Sequence, residues 1–363
     1  MKVPYLDLRV TDFELKHEML SAIEQVLDHG RILLGPEVAE LETRLAEYCG
    51  TRYAVCCGSG TDALILATKA LDLKPTDEVI TSCLSFVGTA NGISVGGAKP
   101  VFSDVSHDLT IDPECVEKAI GPNTKAIVPV HFTGRIANVD ALSVLAERYG
   151  LSLIEDAAPA IGASRGNRRA GSFGRLACIS INPMKVLNAL GEAGVVLTSE
   201  LEMQERLIAL RYNGLVNRET CLDRSINGRI DTVQAAAILP RLKRLDAWLA
   251  RRREIARFYA SKLQNYVVVP TEARDEMPAY YTFSIRTQRR SALKNWLELN
   301  GIETKIQHDR IIPQHPAYAE SDLSKYPNAL KFIDEILCLP IHEKLSNEQV
   351  EYVASKVVDF FVT

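Results

Sequence analysis

The chain predicts an α/β fold: a mostly parallel central sheet with helices on both faces, plus a smaller C-terminal α+β domain. Three observations predict it. From residue 53 to about 200, short apolar runs alternate with helical patterns. Those runs are continuous and rich in Val and Ile, as strands buried on both faces are. Near residue 200 the rhythm changes to long helical stretches, then to strand, helix, strand.

Taken in order, residues 1–34 read as an N-terminal arm followed by a helix. A large α/β domain then spans residues 35–240. It opens with a helix at Gly35-Pro36, proline taking a first-turn position, with Val38, Leu41, Leu45 and Tyr48 on one face. The strand runs are Tyr53 to Cys57, Glu78 to Thr81, Lys99 to Phe102, Ala126 to His131, Leu151 to Ile154, Ala177 to Ser180 and Gly194 to Thr198. One long helix follows Asp231, with Leu239, Leu242, Leu245, Trp248 and Leu249 on one face and Pro240 as a kink. Residues 241–363 form the smaller domain. Its strands are Tyr281 to Ile285 and Gly301 to Ile306, around a helix from Ala292 to Asn300. The last helix opens with a capping box, Ser346-Asn347-Glu348-Gln349, and buries Val350, Val353 and Val357.

Composition narrows the function. A chain of 363 residues that is 47% hydrophobic can bury a large core, so disorder is not expected. A net charge of −4 argues against a nucleic-acid surface. The longest basic cluster, Arg251-Arg252-Arg253, reads as a solvated helix face. Eight scattered cysteines include no C-x-x-C pair, which argues against a metal site or a disulfide framework. No signal-peptide pattern and no long apolar span occur, so a cytoplasmic protein off the membrane is expected.

Lys185 carries the most chemistry. It ends the segment Ser180-Ile181-Asn182-Pro183-Met184-Lys185, after a strand run. Another run, Leu151 to Ile154, leads into Glu155-Asp156. An amine and a carboxylate at strand ends are what pyridoxal phosphate chemistry needs. The lysine forms a Schiff base with the cofactor aldehyde. The aspartate keeps the pyridine nitrogen protonated, so the ring draws electrons from a substrate carbanion. Each residue alone also has an ordinary reading, as a solvated lysine or a loop aspartate. Gly58 to Leu64 follows a strand and opens a helix, which either presents N–H groups to a phosphate or is a plain tight turn. Phe86 could stack on a planar cofactor, but by itself it reads as a core residue. His131 either satisfies a backbone carbonyl or faces ligand.

In order and spacing, these segments resemble the DegT/StrS group of pyridoxal phosphate-dependent sugar-nucleotide aminotransferases of fold type I. The resemblance runs from Tyr5 to about Val358. It is carried by Gly35-Pro36-Glu37, Gly58 to Leu64, Asp77 to Ile80, Pro129-Val130-His131, Glu155 to Ala158, Ser180 to Lys185, Gly191 to Gly194, Asn227 to Ala236 and Gly301 to Thr304. It implies that Lys185 holds the cofactor and shuttles the proton, and that Asp156 pairs with the pyridine nitrogen. Gly60, Thr61 and Ser180 would hold the phosphate, and Phe86 would stack on the ring. Asn227 would reach the phosphate of a neighbouring subunit, so a homodimer with shared active sites is expected. Arg229, His308, Arg310 and His315 are the candidate substrate contacts.

The implied reaction transfers an amine to a keto-sugar nucleotide, from glutamate or glutamine, with pyridoxamine phosphate between the two halves. A sugar dehydratase of the same fold is a rival, but that branch replaces the lysine with histidine. A non-catalytic scaffold is another. Three departures from the family pattern stand out. Pro159 replaces the usual Gln, Val186-Leu187-Asn188 follows the lysine, and Gln307-His308-Asp309 replaces His-Tyr-Pro. Arg310 beside that segment either pairs with a nucleotide phosphate or is a solvated loop charge.

Overall fold

The computed structural model describes residues 1–217 and 219–362. Arg218 and Thr363, which fall within the two expected domains, lie outside the described residues. All seven apolar runs form strands of one sheet. Their spatial order is Tyr53–Cys57, Gly194–Thr198, Leu176–Ser180, Ser152–Asp156, Thr124–Val128, Glu78–Ser82 and Lys99–Ser103. Every pairing among the last five is parallel. Gly194–Thr198 alone runs antiparallel to both of its neighbours.

The continuous apolar runs fill both faces of this sheet. Ala54, Cys56, Ala177, Ile179, Val195 and Leu197 join one buried cluster. Their neighbours Val55, Cys57, Leu176, Cys178 and Val196 join another on the opposite side. This is the period-two alternation of a strand with both faces covered. Helices Pro36–Cys49 and Thr232–Leu242 supply Leu41, Leu45, Ala235 and Ile238 to the first face. Helices Gly60–Ala70 and Leu201–Arg211 supply Leu66, Ala67, Leu207 and Leu210 to the second.

The long helix expected after Asp231 is two helices, Thr232–Leu242 and Leu245–Leu263. Pro240 has no N–H for the ladder, and the helix ends within one turn of it. The second helix spans two cores. Leu245 and Leu249 pack on the sheet, while Ile255, Tyr259 and Leu263 enter a C-terminal core.

That core contains the antiparallel pair Phe283–Arg286 and Ile336–Leu339, with helices Arg290–Leu299 and Asn347–Val362. The capping box is present as expected: the Ser346 Oγ accepts from the Gln349 N–H at 3.2 Å, and the Gln349 Oε1 accepts from the Ser346 N–H at 3.1 Å. The strand expected over 301–306 does not form. Ile302 bridges only to Val3, and Lys305 only to Cys338. The segment crosses from one partner to another, so no ladder builds. Val3 is fully buried in the same core, with its N–H on the Gly301 carbonyl at 2.9 Å. The Tyr5 N–H adds a bond to Glu303 Oε2 at 3.0 Å.

The basic run Arg251-Arg252-Arg253 is not a solvated face. Arg252 is 3% exposed and donates to the carbonyls of Tyr280 at 3.1 Å and Ile341 at 2.7 Å. Arg253 donates to the carbonyls of Pro278 and Gly162, and Arg251 to that of Leu345. Three guanidinium groups satisfy irregular backbone that no ladder reaches, which is why charge here is found inside. No helix among the described residues is long and apolar enough to cross a membrane.

Arg252→Ala should therefore destabilise the fold by about 3–5 kcal/mol, because it strands buried carbonyls and the Glu343 carboxylate 3.4 Å away. Arg252→Lys should recover only part of this, since one ammonium cannot reproduce the fork. Urea denaturation midpoints of the three proteins check the order.

Candidate active site

The parallel strands end at one crevice, the usual ligand position in such sheets. A cavity of about 650 Å³ lies there, lined in part by Gly60, Thr61, Phe86, Asp156, Ser180 and Lys185. Every cofactor residue expected from one subunit thus faces a single space.

Asp156 closes the strand Ser152–Asp156 and is 3% exposed. Its Oδ2 accepts from the Thr89 hydroxyl at 2.7 Å, and its Oδ1 accepts from the Ala158 N–H at 3.1 Å. Thr89 lies 2.8 Å from the Ser85 hydroxyl; having given its own proton to Asp156, it accepts the proton of Ser85. Burial raises the Asp156 carboxyl above its ordinary range, and the Thr89 and Ala158 bonds oppose that rise. A buried carboxylate held in this way suits a protonated ring nitrogen.

Its neighbour Glu155 points to the other side of the strand and is fully buried. Its oxygens accept from the N–H groups of Gly171 at 2.8 Å, Phe173 at 2.6 Å and Gly174 at 2.7 Å. The His131 Nε2 donates to it at 2.9 Å, because the His131 Nδ1 is occupied by the Ala137 N–H at 3.2 Å. His131 is thus spent within the fold and does not line the cavity.

Lys185 follows the strand Leu176–Ser180 through a turn closed by its own N–H on the Asn182 carbonyl at 2.9 Å. Its Nζ sits 4.2 Å from the centre of the Tyr281 ring. Burial pushes the amine down to about 8, and Lys305 adds repulsion, while Asp156 and Glu192 pull the other way. An amine near neutrality can attack a carbonyl and can accept or return a proton.

The helix Gly60–Ala70 starts at the cavity, capped by the Ser59 hydroxyl on the Asp62 N–H at 3.0 Å. The first-turn N–H groups of Gly60 and Thr61 have no intrahelical acceptor and face a site for an anion. A side chain at Gly60 would come within 2.6 Å of the Ser180 Cβ, so glycine lets the helix approach that hydroxyl. Gly194 is bound in the same way: a Cβ there would lie 2.2 Å from the Ser59 carbonyl oxygen. Phe86 is 63% exposed beside this helix end, not in the core where it reads by itself. Helix end, open ring, amine and buried carboxylate together fit a phosphate-bearing pyridine aldehyde.

The substrate candidates divide. His308 lines the cavity and packs on Phe132 with ring centres 5.7 Å apart. Burial lowers its imidazole to about 4, so it is neutral there. Arg310 and His315 do not line the cavity; the Arg310 side chain is 49% exposed and pairs with adjacent Asp309 at 3.4 Å. Asn227 and Arg229 also lie outside it. They bond each other at 3.0 Å and pack on the outer side of the Gly58 turn, whose N–H donates to the Gly228 carbonyl at 2.8 Å. Pro159, the replacement for the usual Gln, lines the cavity.

The residues overlooked in the sequence are Ser85, Thr89, Glu192, Tyr281 and Lys305, all on the cavity wall. Ser85 and Thr89 carry a signal, two hydroxyls four residues apart at a helix start. Tyr281 and Lys305 carry none, since they arrive from the C-terminal core.

The profile of the DegT/DnrJ/EryC1/StrS aminotransferase family matches residues 14–358. A "dTDP-3-amino-3,4,6-trideoxy-alpha-D-glucose transaminase" of Streptomyces venezuelae is 39% identical, over 99% of this chain and 95% of its own. The solved structure of S. venezuelae DesV with a ketimine intermediate superposes with a TM-score of 0.95 at 39% identity, covering 100% of this chain and 99% of that one. The structure of NtdA from Bacillus subtilis with bound cofactor PMP, at 28% identity, gives 0.92 and covers 100% of this chain and 86% of that one. A match over nearly the whole length, on a cavity built for pyridoxal phosphate, places the chain in one family. It belongs to the DegT/DnrJ/EryC1/StrS aminotransferases.

Proposed function

We propose that the chain transaminates a keto-sugar nucleotide, with glutamate as amino donor, in a cytoplasmic homodimer with shared active sites. The observation that carries this reading is the convergence of Lys185, Asp156 and the Gly60 helix end on one cavity. Pyridoxal phosphate, when bound, supplies the electron sink. The protein supplies the rest: Asp156 holds charge at one end, the Gly60 helix end holds an anion at the other, and the Lys185 Nζ, between the two, takes and returns the proton of the substrate's reacting carbon. Nucleotide-sugar transaminases among the relatives support the substrate class. Retention of Lys185 weighs against the dehydratase rival.

Two observations support the dimer. Asn227 and Arg229 stand outside their own cavity and so are available to another. The helix Phe13–His29 exposes Phe13 at 81%, Leu20 at 58% and Leu27 at 65%, a stripe with seven-residue spacing that suits a second copy. Eight unpaired thiols suit a reducing compartment.

Lys185→Ala should abolish the glutamate half-reaction, by at least about 10²–10⁴-fold, while the fold survives. Asp156→Asn should bind cofactor yet lose most of its rate. Stopped-flow absorbance of the bound cofactor reads both. A Lys185→Ala protein that still converts glutamate at the wild-type rate overturns the reading.

Mixing inactive Lys185→Ala and Asn227→Asp chains should restore about a quarter of wild-type activity if subunits exchange freely. Half of the dimers are then mixed, and each has one intact site. No recovery, with exchange verified by mass spectrometry, removes the shared-site arrangement.

Cofactor uptake should depend on pH through Lys185. The folded amine titrates at about 8, below its ordinary 10.5. It is charged and unreactive below that point, and neutral above it. The rate of reconstitution of apoprotein with pyridoxal phosphate should climb toward pH 8 and level off beyond it. A profile still rising steeply at pH 10 would show an ordinary lysine.

A further inference from the structure

We propose that Lys305 is the carboxylate-binding residue of this site and takes the α-carboxylate of the amino donor. The inference rests on the transamination reading and names what recognises the donor. Lys305 lines the cavity, but its ammonium has no ion-pair partner among the described residues. The cavity's own carboxylates are engaged elsewhere. Asp156 is held by Thr89 and Ala158, and Glu192 accepts from the Asn182 amide at 2.6 Å. An ammonium on the cavity wall with no ion-pair partner is placed to meet an anion that a ligand brings.

The placement of Lys305 is built, not incidental. Its N–H donates to the Cys338 carbonyl at 3.1 Å, and its carbonyl accepts from the Cys338 N–H at 2.8 Å. Cys338 is fully buried in the strand Ile336–Leu339. The backbone that carries the ammonium is therefore fixed to the C-terminal core. Two residues further on, Gln307 lines the same cavity with a buried Oε1 that has no partner. Next to it, His308 stands neutral against Phe132. The Gln307 side chain also hydrogen-bonds Tyr281, so cation, amide oxygen and imidazole from one short segment form a polar wall whose Oε1 and ammonium are left for a ligand.

Which anion this wall receives follows from the cavity it shares with Lys185. Lys305 and Lys185 line the same cavity, and their charges repel. The carbon that exchanges its amine must come to Lys185. In an amino acid the α-carboxylate is attached to that same carbon. The diphosphate of a sugar nucleotide is several bonds removed from any reacting ring carbon. On the transamination reading, the helix end at Gly60 and Thr61 takes the cofactor phosphate. The donor's α-carboxylate is thus the anion that fits Lys305.

The test uses the full chain loaded with pyridoxal phosphate. Glutamate and 4-aminobutyrate serve as amines with and without a carboxylate on the reacting carbon. Lys305→Met should raise the half-saturating glutamate concentration by about 10- to 100-fold, the loss of one charge-assisted hydrogen bond. It should lower the 4-aminobutyrate half-reaction far less than the glutamate one, since that amine loses only the effect of the Lys305 charge on Lys185. Calorimetric binding of 2-oxoglutarate to the pyridoxal form, a complex that cannot turn over, should weaken by the same factor. Lys305→Arg should restore most of both. Equal losses with both amines would mean a structural role and overturn the proposal. Unchanged glutamate binding would overturn it too, and would leave the ammonium to an anion on the sugar. If wild-type protein reacts with no amino acid at all, the transamination reading fails first and takes this inference with it.

Discussion

Glu155 is a carboxylate with no water to solvate it, and the site is assembled around how the fold answers that. Three backbone N–H groups, from Gly171, Phe173 and Gly174, converge on its oxygens, and His131 supplies a fourth donor. Such a group is stable only when every lone pair is met. The arrangement ties the end of the central strand to the loop before Leu176–Ser180 and to the turn after Val130. Because adjacent strand residues point to opposite faces, fixing Glu155 outward also fixes Asp156 inward. The carboxylate that faces the cavity inherits its direction from the structural one.

Burial then acts with opposite sign on the two groups that matter most. It raises the Asp156 carboxyl and lowers the Lys185 amine. Each is moved away from its charged form by the same dry surroundings. A cationic ring nitrogen, were one held beside Asp156, would supply the missing counter-charge. A neutral Lys185 is what addition to an aldehyde requires. The protein without its cofactor is therefore electrostatically incomplete in a way that the cofactor completes.

Much of this was legible in the sequence because it is local. The seven strands are continuous apolar runs, and each one appears in the sheet. Gly60, Thr61, Asp156, Ser180 and Lys185 lie where strands meet turns, and position along the chain places them. What was not legible depends on segments meeting from far away. Arg252 reads as a surface charge because nothing nearby in sequence announces the bare carbonyls of Tyr280 and Ile341. Tyr281 and Lys305 reach the cavity through a core that has no motif of its own. The segment 301–306 looks like a strand by composition, but its partners, Val3 and Cys338, sit at opposite ends of the chain.

That last pairing has a bearing on how the molecule comes into being. Val3 is made some three hundred residues before its hydrogen-bonding partner Gly301. The arm cannot dock while the sheet domain is being synthesised, and it must wait, unpaired, until the C-terminal core exists to receive it. Contacts of such sequence separation form late, because closing so large a loop carries an entropic cost before any gain. A ribosome-bound chain would thus present a finished sheet with an untied arm. The last act of folding, and not the first, would bring Tyr5 to Glu303 and secure the segment that carries Lys305 above the cavity.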